Sequence, residues 1–102
     1  MADELAFNAA MMDVYRRALK EVHYNATRFL QMLHDHGGLE TARILLGSPS
    51  VSEGYTALWE RDRLDLTVEA LVLQPEWHDL FSDEERTIAK QRLTDYGYRF
   101  QV

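Results

Sequence analysis

The chain contains no cysteine. Disulfides, thiolate nucleophiles and thiolate metal sites are therefore excluded together, and the composition fits a reducing compartment. Only two prolines, Pro49 and Pro75, interrupt the 102 residues. No low-complexity tract occurs, so the composition is that of a folded chain. No apolar run approaches the roughly 20 residues that span a bilayer. The Met-Ala-Asp-Glu start is acidic where a secretory signal would be basic. The expectation is a cytoplasmic protein with no membrane partner.

Basic residues are scarce as well. Eleven Lys and Arg face 17 Asp and Glu, for a formal net charge of −6. Residues 48–73 carry five acids against two bases, and residues 74–102 carry six against four. Binding to phosphate backbones needs clustered cations, so this balance makes nucleic acid an unlikely partner. It leaves a protein partner, or a second copy of the chain, as the expectation.

What is present is enough for one domain over residues 1–102. Its most apolar stretch is Leu64–Leu73, interrupted only by Asp65, Thr67 and Glu69. The alternation of Leu64, Leu66, Val68 and Ala70 with polar residues also fits a strand. No other internal segment reads as its partner, however, and a lone strand leaves backbone groups unpaired. Leu, Glu and Ala favour helix, and Asp65 is a plausible cap. The reading is a buried helix at 64–73 with the rest of the chain packed around it.

Leu5, Ala9, Met12, Tyr15, Leu19 and Val22 recur at helical spacing over about Asp3–Val22, and Phe7, Met11, Val14 and Ala18 widen the stripe. His23-Tyr24-Asn25 is a break, with Asn25 placed to cap a helix from Ala26 to about His36. Gly37-Gly38 is a helix stop. A further helix spans Leu39–Leu46, ended by Gly47, and Ser48-Pro49-Ser50 is a turn. Ser52 can cap a helix over about Glu53–Asp62. Gln74-Pro75 ends the central helix. Trp77, Leu80 and Phe81 are expected to cover one edge of the core. Ser82 and Glu85 have capping-box spacing ahead of Ile88, Ala89, Arg92, Leu93 and Tyr96, and Gly97 closes that helix. Tyr98, Phe100 and Val102 alternate with polar residues as a short strand, a docked tail or a partner-binding edge. The fold class is all-α, a single compact domain of five or six helices.

Chemistry is thinly signalled. His34 and His36 stand two apart, which on a helix points them in different directions. His23 and His78 have no neighbouring ligand set, so no metal or cofactor is expected. Arg61, Asp65 and Glu69 would form one polar row if the helices around them were continuous. The plain interpretation is a solvated stripe of weak pairs. The sharper one is a partly buried Arg–carboxylate network that fixes a joint or grips a ligand. No nucleophile is paired with a base and no phosphate-cradling glycine loop occurs, so no catalytic residue is assigned. The Gly37-Gly38 corner has a helix-turn-helix outline, but Arg28 and Arg43 are the only cations in residues 23–47.

The runs Tyr24–Leu30, Gly37–Arg43, Gly54–Arg61, Leu64–Glu69 and Leu80–Glu85 resemble an uncharacterised bacterial helical domain found alone or as the tail of larger proteins. The resemblance covers nearly the whole chain after the first helix. It implies a bacterial or phage-borne setting and an accessory or regulatory role, and it transfers no catalytic or binding residue. The expected function is thus a small interaction or regulatory module, self-association included. Its candidate contacts are Tyr55, Trp59, Arg61, Arg63, Trp77, Tyr98 and Phe100, since aromatic and Arg side chains anchor interfaces. Two alternatives stand beside it. One is a nucleic-acid accessory domain using Arg28 and Arg43. The other is a small-molecule site near Arg61, Arg63 and Asp65.

Overall fold

The computed structural model describes residues 3–99. Helix α1, Glu4–Val22, starts at Asp3, whose carboxylate accepts from the Leu5 amide. Its core face is Phe7, Met11 and Ala18, with Val14 packed beside them. Leu5 is 78 % exposed and Leu19 40 % exposed. The helix is therefore rotated from the leading stripe expected above, and the flanking set at 7, 11, 14 and 18 faces inward. His23 ends α1 in the left-handed region at φ 57°.

Helix α2, Thr27–Gly47, is broken at Gly37, where φ 78° and ψ 172° leave the helical region. The two glycines act differently. Gly37 provides the backbone reversal that a side chain would resist. Gly38 is a crossing point: its amide donates to Asn8 Oδ1 at 2.7 Å, and a Cβ there would sit 2.9 Å from the Asn8 Cα. Asn8 thus caps the second arm of α2 from another helix. The buried Thr41 hydroxyl donates to the Met32 carbonyl across the break. Two local expectations fail. Asn25 does not cap α2, because its Oδ1 accepts from the Tyr15 hydroxyl at 2.6 Å and Ala26 stands at the cap without a side-chain bond. Gly47 stays helical, and α2 ends at extended Ser48.

Ser52 caps α3, Glu53–Glu60, accepting from the Tyr55 amide at 3.1 Å. The central stretch is buried, but it is not one helix. A 3-10 turn, Leu64–Leu66, is followed by α4, Val68–Val72, with extended Thr67 between them. The reason is the Thr67 hydroxyl, which donates to the Leu64 carbonyl at 2.6 Å and accepts from the Ala70 amide at 3.2 Å. Thr67 is the cap. Asp65 instead lies exposed and bonded to Arg63. Leu64, Leu66, Val68, Leu71 and Val72 are all buried, so the stretch remains the middle of the molecule.

A second 3-10 segment, Pro75–Leu80, carries Trp77 inward, and Phe81 follows. Phe7 meets both rings edge-on with centroids 5.3 Å apart, a favoured aromatic geometry. Ser82 and Glu85 form the expected capping box on α5, Asp83–Asp95. Gly97 closes that helix at φ 81°. No strand occurs among the described residues. With α2 counted as two arms, six α-helical rods build one globule with a radius of gyration of 12.5 Å, close to the roughly 13 Å expected for 100 residues. Among the described residues, no helix is long and apolar enough to cross a membrane.

Candidate functional site

Burying a charge is costly unless it is paired, so the Glu69 carboxylate is the first feature to explain. Its side chain is 4 % exposed and its Oε2 accepts from Arg92 Nη1 at 3.0 Å. Arg92, 12 % exposed, comes from the inner face of α5. The same guanidinium donates to the Leu45 carbonyl at 3.0 Å and to the Ser48 carbonyl at 2.5 Å. Those carbonyls belong to the C-terminal end of α2, where helical acceptors lose their partners one turn on; the Leu45 carbonyl has otherwise only the Ser48 amide at 3.4 Å. One side chain thus ties α2, α4 and α5 together. The Tyr55 hydroxyl adds a bond to the Arg92 carbonyl at 2.9 Å. Burial pushes the Glu69 carboxyl above its ordinary range, opposed by its own backbone amide and by Arg92. Burial likewise raises the Tyr55 phenol, with Glu69 adding to the effect.

Glu69 also borders a cleft of about 540 Å³. Val14 and Ala18 of α1, Phe29 and Met32 of α2, and Val51 and Leu58 make much of its apolar lining. Gly54 and Tyr55 line it from α3, and Tyr24 and Arg28 border it as well. Its charged groups are Arg28, Glu53 and Glu69. The volume falls within the roughly 300–1,000 Å³ of small-molecule sites, and the lining is mixed, with Asn25, Thr27, Ser50 and Ser52 beside the apolar side chains.

The side chains singled out from sequence are dispersed. Trp59 is 46 % exposed and its ring meets Tyr96 edge-on at 5.3 Å. Tyr55 is buried and meets the same Tyr96 ring edge-on at 5.0 Å. Trp77 is only 8 % exposed and belongs to the main core, not to the surface. Tyr98 is half-buried against the Tyr55, Leu64 and Leu93 cluster. Phe100 lies outside the described residues, as does Val102.

Arg61 lies over the Tyr24 ring, 5.0 Å from its centroid, and donates to the Ala57 carbonyl. Arg63 bridges Asp65 at 2.9 Å and Glu21 of α1 at 2.7 Å. The continuous row of Arg61, Asp65 and Glu69 does not form, because Asp62 turns the chain at φ 59°. Arg61, Arg63 and Asp65 do not line the cleft. Arg28 is exposed at the cleft, whereas Arg43 is held by the Leu80 carbonyl at 3.0 Å and by Glu85 at 3.4 Å. No three metal-ligating side chains converge among the described residues.

Sequence reasoning missed Arg92. Its signal was an arginine at the spacing of Ala89 and Leu93, on a helix face that otherwise enters the core. A cation there requires a buried acceptor. No protein-family model, curated protein or solved structure matches the chain, so the geometry of the cleft carries the functional reading.

Proposed function

We propose that the chain is a non-catalytic binding module, an accessory domain that takes an apolar group into the cleft between α1, α2 and α3. The observation that carries this is the cleft's 540 Å³ of partly apolar space with the buried Glu69 on its lining. Filling such a space with side chains would ordinarily stabilise a small domain, so the open volume is the feature in need of a use. In support of binding over reaction, the hydroxyls of Tyr55 and Thr67 on the lining are both engaged by backbone carbonyls.

The test uses the neutral fluorophore phenylnaphthylamine and Gly54→Phe. Gly54 borders the cleft, and a Cβ there would meet only ordinary contacts, 3.8 Å from the Tyr24 hydroxyl and 3.9 Å from Ser52 Oγ. The variant should fold and block the space. Saturable fluorescence enhancement in the parent, lost in Gly54→Phe, supports the reading. No enhancement in either removes it.

A second reading, docking of a partner protein, rests on Trp59. Its ring is half exposed yet held edge-on by Tyr96, the rigid aromatic type that anchors interfaces. Sedimentation of the parent beside Trp59→Ala reads self-association directly. A concentration-independent monomer in both removes the self-association form of this reading.

A further inference from the structure

The cleft has a chemical polarity, and it narrows the class of ligand. Of the three charged side chains on its lining, two are carboxylates, Glu53 and Glu69, and one is the exposed cation Arg28. Glu69 is the buried one. Among the described residues Arg92 is the only side chain that donates to it, at Oε2, Glu69's own backbone amide is its other donor, and the guanidinium is shared with the Leu45 and Ser48 carbonyls. A carboxylate has about four lone-pair sites over its two oxygens. Glu69 therefore keeps acceptor capacity at the edge of a space walled by Val14, Phe29, Met32 and Leu58.

We propose that the cleft binds a small organic amine: a protonated nitrogen at the Glu69 carboxylate, with an apolar body along the α1–α2–α3 walls. This rests on the binding-module reading above and adds the ligand's charge. The complementarity is direct. An ammonium group has donors and no acceptor, so it suits the Glu69 lone pairs that Arg92 leaves free, and its approach is from the cleft side, away from the guanidinium that does not line the cleft. An anionic headgroup would meet the Glu69 and Glu53 carboxylates, with Arg28 on the lining as its attracting cation and the Arg92 charge already engaged by Glu69. Burial already pushes the Glu69 carboxyl upward, and an arriving cation would offset that loss of hydration. Charge-assisted bonds of this kind are roughly twice as strong as neutral ones.

Three probes of one shape test it: phenylbutylamine, the matching alcohol and the matching carboxylate, each titrated by calorimetry into the full chain. The expected result is amine binding about tenfold or more tighter than alcohol, with the carboxylate weakest. In Glu69→Gln the amine should fall to the level of the alcohol while the alcohol is unchanged. Should Glu69→Gln fail to fold, amide shifts in the parent decide. The amine, and not the alcohol, must move Thr67 to Glu69.

Equal binding of all three probes, blocked by Gly54→Phe, would overturn the amine assignment and leave the cleft reading standing. Preference for the carboxylate would overturn it in favour of Arg28. Tighter capture of a lysine-bearing peptide than of the free amine would overturn the small-molecule assignment. Binding of none of them would remove both the inference and the reading beneath it.

Discussion

Replacing Arg92 by Met is the sharpest test of how the molecule is held together. The substitution keeps an unbranched stem and removes the guanidinium. Three acceptors lose the bond that the guanidinium donates: Glu69 Oε2, the Leu45 carbonyl and the Ser48 carbonyl. Removing one partner of a buried ion pair costs about 3–5 kcal/mol, because the other charge stays buried. Whole domains are stable by only about 5–15 kcal/mol. A shift of 1 kcal/mol moves the midpoint of a 60–100-residue domain by about 4–8 °C, so the expected loss is on the order of 20 °C.

Glu69→Leu added to Arg92→Met should recover part of this. The stranded carboxylate is gone, although the two carbonyls still lack the guanidinium and the Leu45 carbonyl keeps only the Ser48 amide at 3.4 Å. Urea unfolding of the parent, both single variants and the double variant gives the coupling energy. The expectation is about 2 kcal/mol or more, since contacting residues couple by roughly 0.5–3 kcal/mol. If the two changes add within about 0.5 kcal/mol, the pair is not a unit and the clasp is misassigned.

Gly38→Ala places a methyl group within 2.9 Å of the Asn8 backbone and should cost about 1–3 kcal/mol by overpacking. Asn8→Ala, which loses only the 2.7 Å bond to the Gly38 amide, should cost about 1 kcal/mol. Equal effects in urea melts would refute a steric crossing. Trp77→Phe should cost less than most core truncations, because Trp77 Nε1 is buried without a partner among the described residues and an unmet donor costs about 1–3 kcal/mol. A loss above the roughly 3–5 kcal/mol of a full aromatic-to-Ala change would show that the nitrogen is satisfied.

Acid unfolding should carry two opposed contributions. Bonds from Arg17 and Arg63 lower the Glu21 carboxyl from 4.5 to about 2. Its contribution is complete above the ordinary carboxylate range and is lost as pH falls toward that value. Glu69 is raised, so the folded state holds its proton more tightly than the unfolded chain does. Its contribution is complete below the ordinary range and lost as pH rises through its higher folded value. Stability profiles of Glu21→Gln and Glu69→Gln should flatten on opposite sides of the ordinary carboxylate range; flattening on the same side would contradict the assignment.

Features set by neighbouring residues were legible before the structure. Ser52, the Ser82–Glu85 box and Gly97 depend on contacts within a few positions, and each stands where the pattern puts it. Burial of 64–73 was legible too, because a segment with that much apolar surface has no stable place outside. What failed turned on competition. Asn25 and Asp65 are good caps, but Tyr15 engages the first and Arg63 the second. The phase of α1 was ambiguous because apolar residues cover much of its circumference, and only the partner helix chooses among them. The Glu69–Arg92 pair joins residues 23 apart on different helices, and the cleft is lined by residues from 14 to 69. No window along the chain contains either.

The three-way clasp also changes what counts as belonging to the cleft. Leu45, Ser48 and Glu69 all border it, and Arg92 fastens all three while lining none of it. The width of the opening is thus governed from behind, by a helix that no guest would touch. Alterations on α5 could retune which guests fit while leaving every contact surface chemically intact.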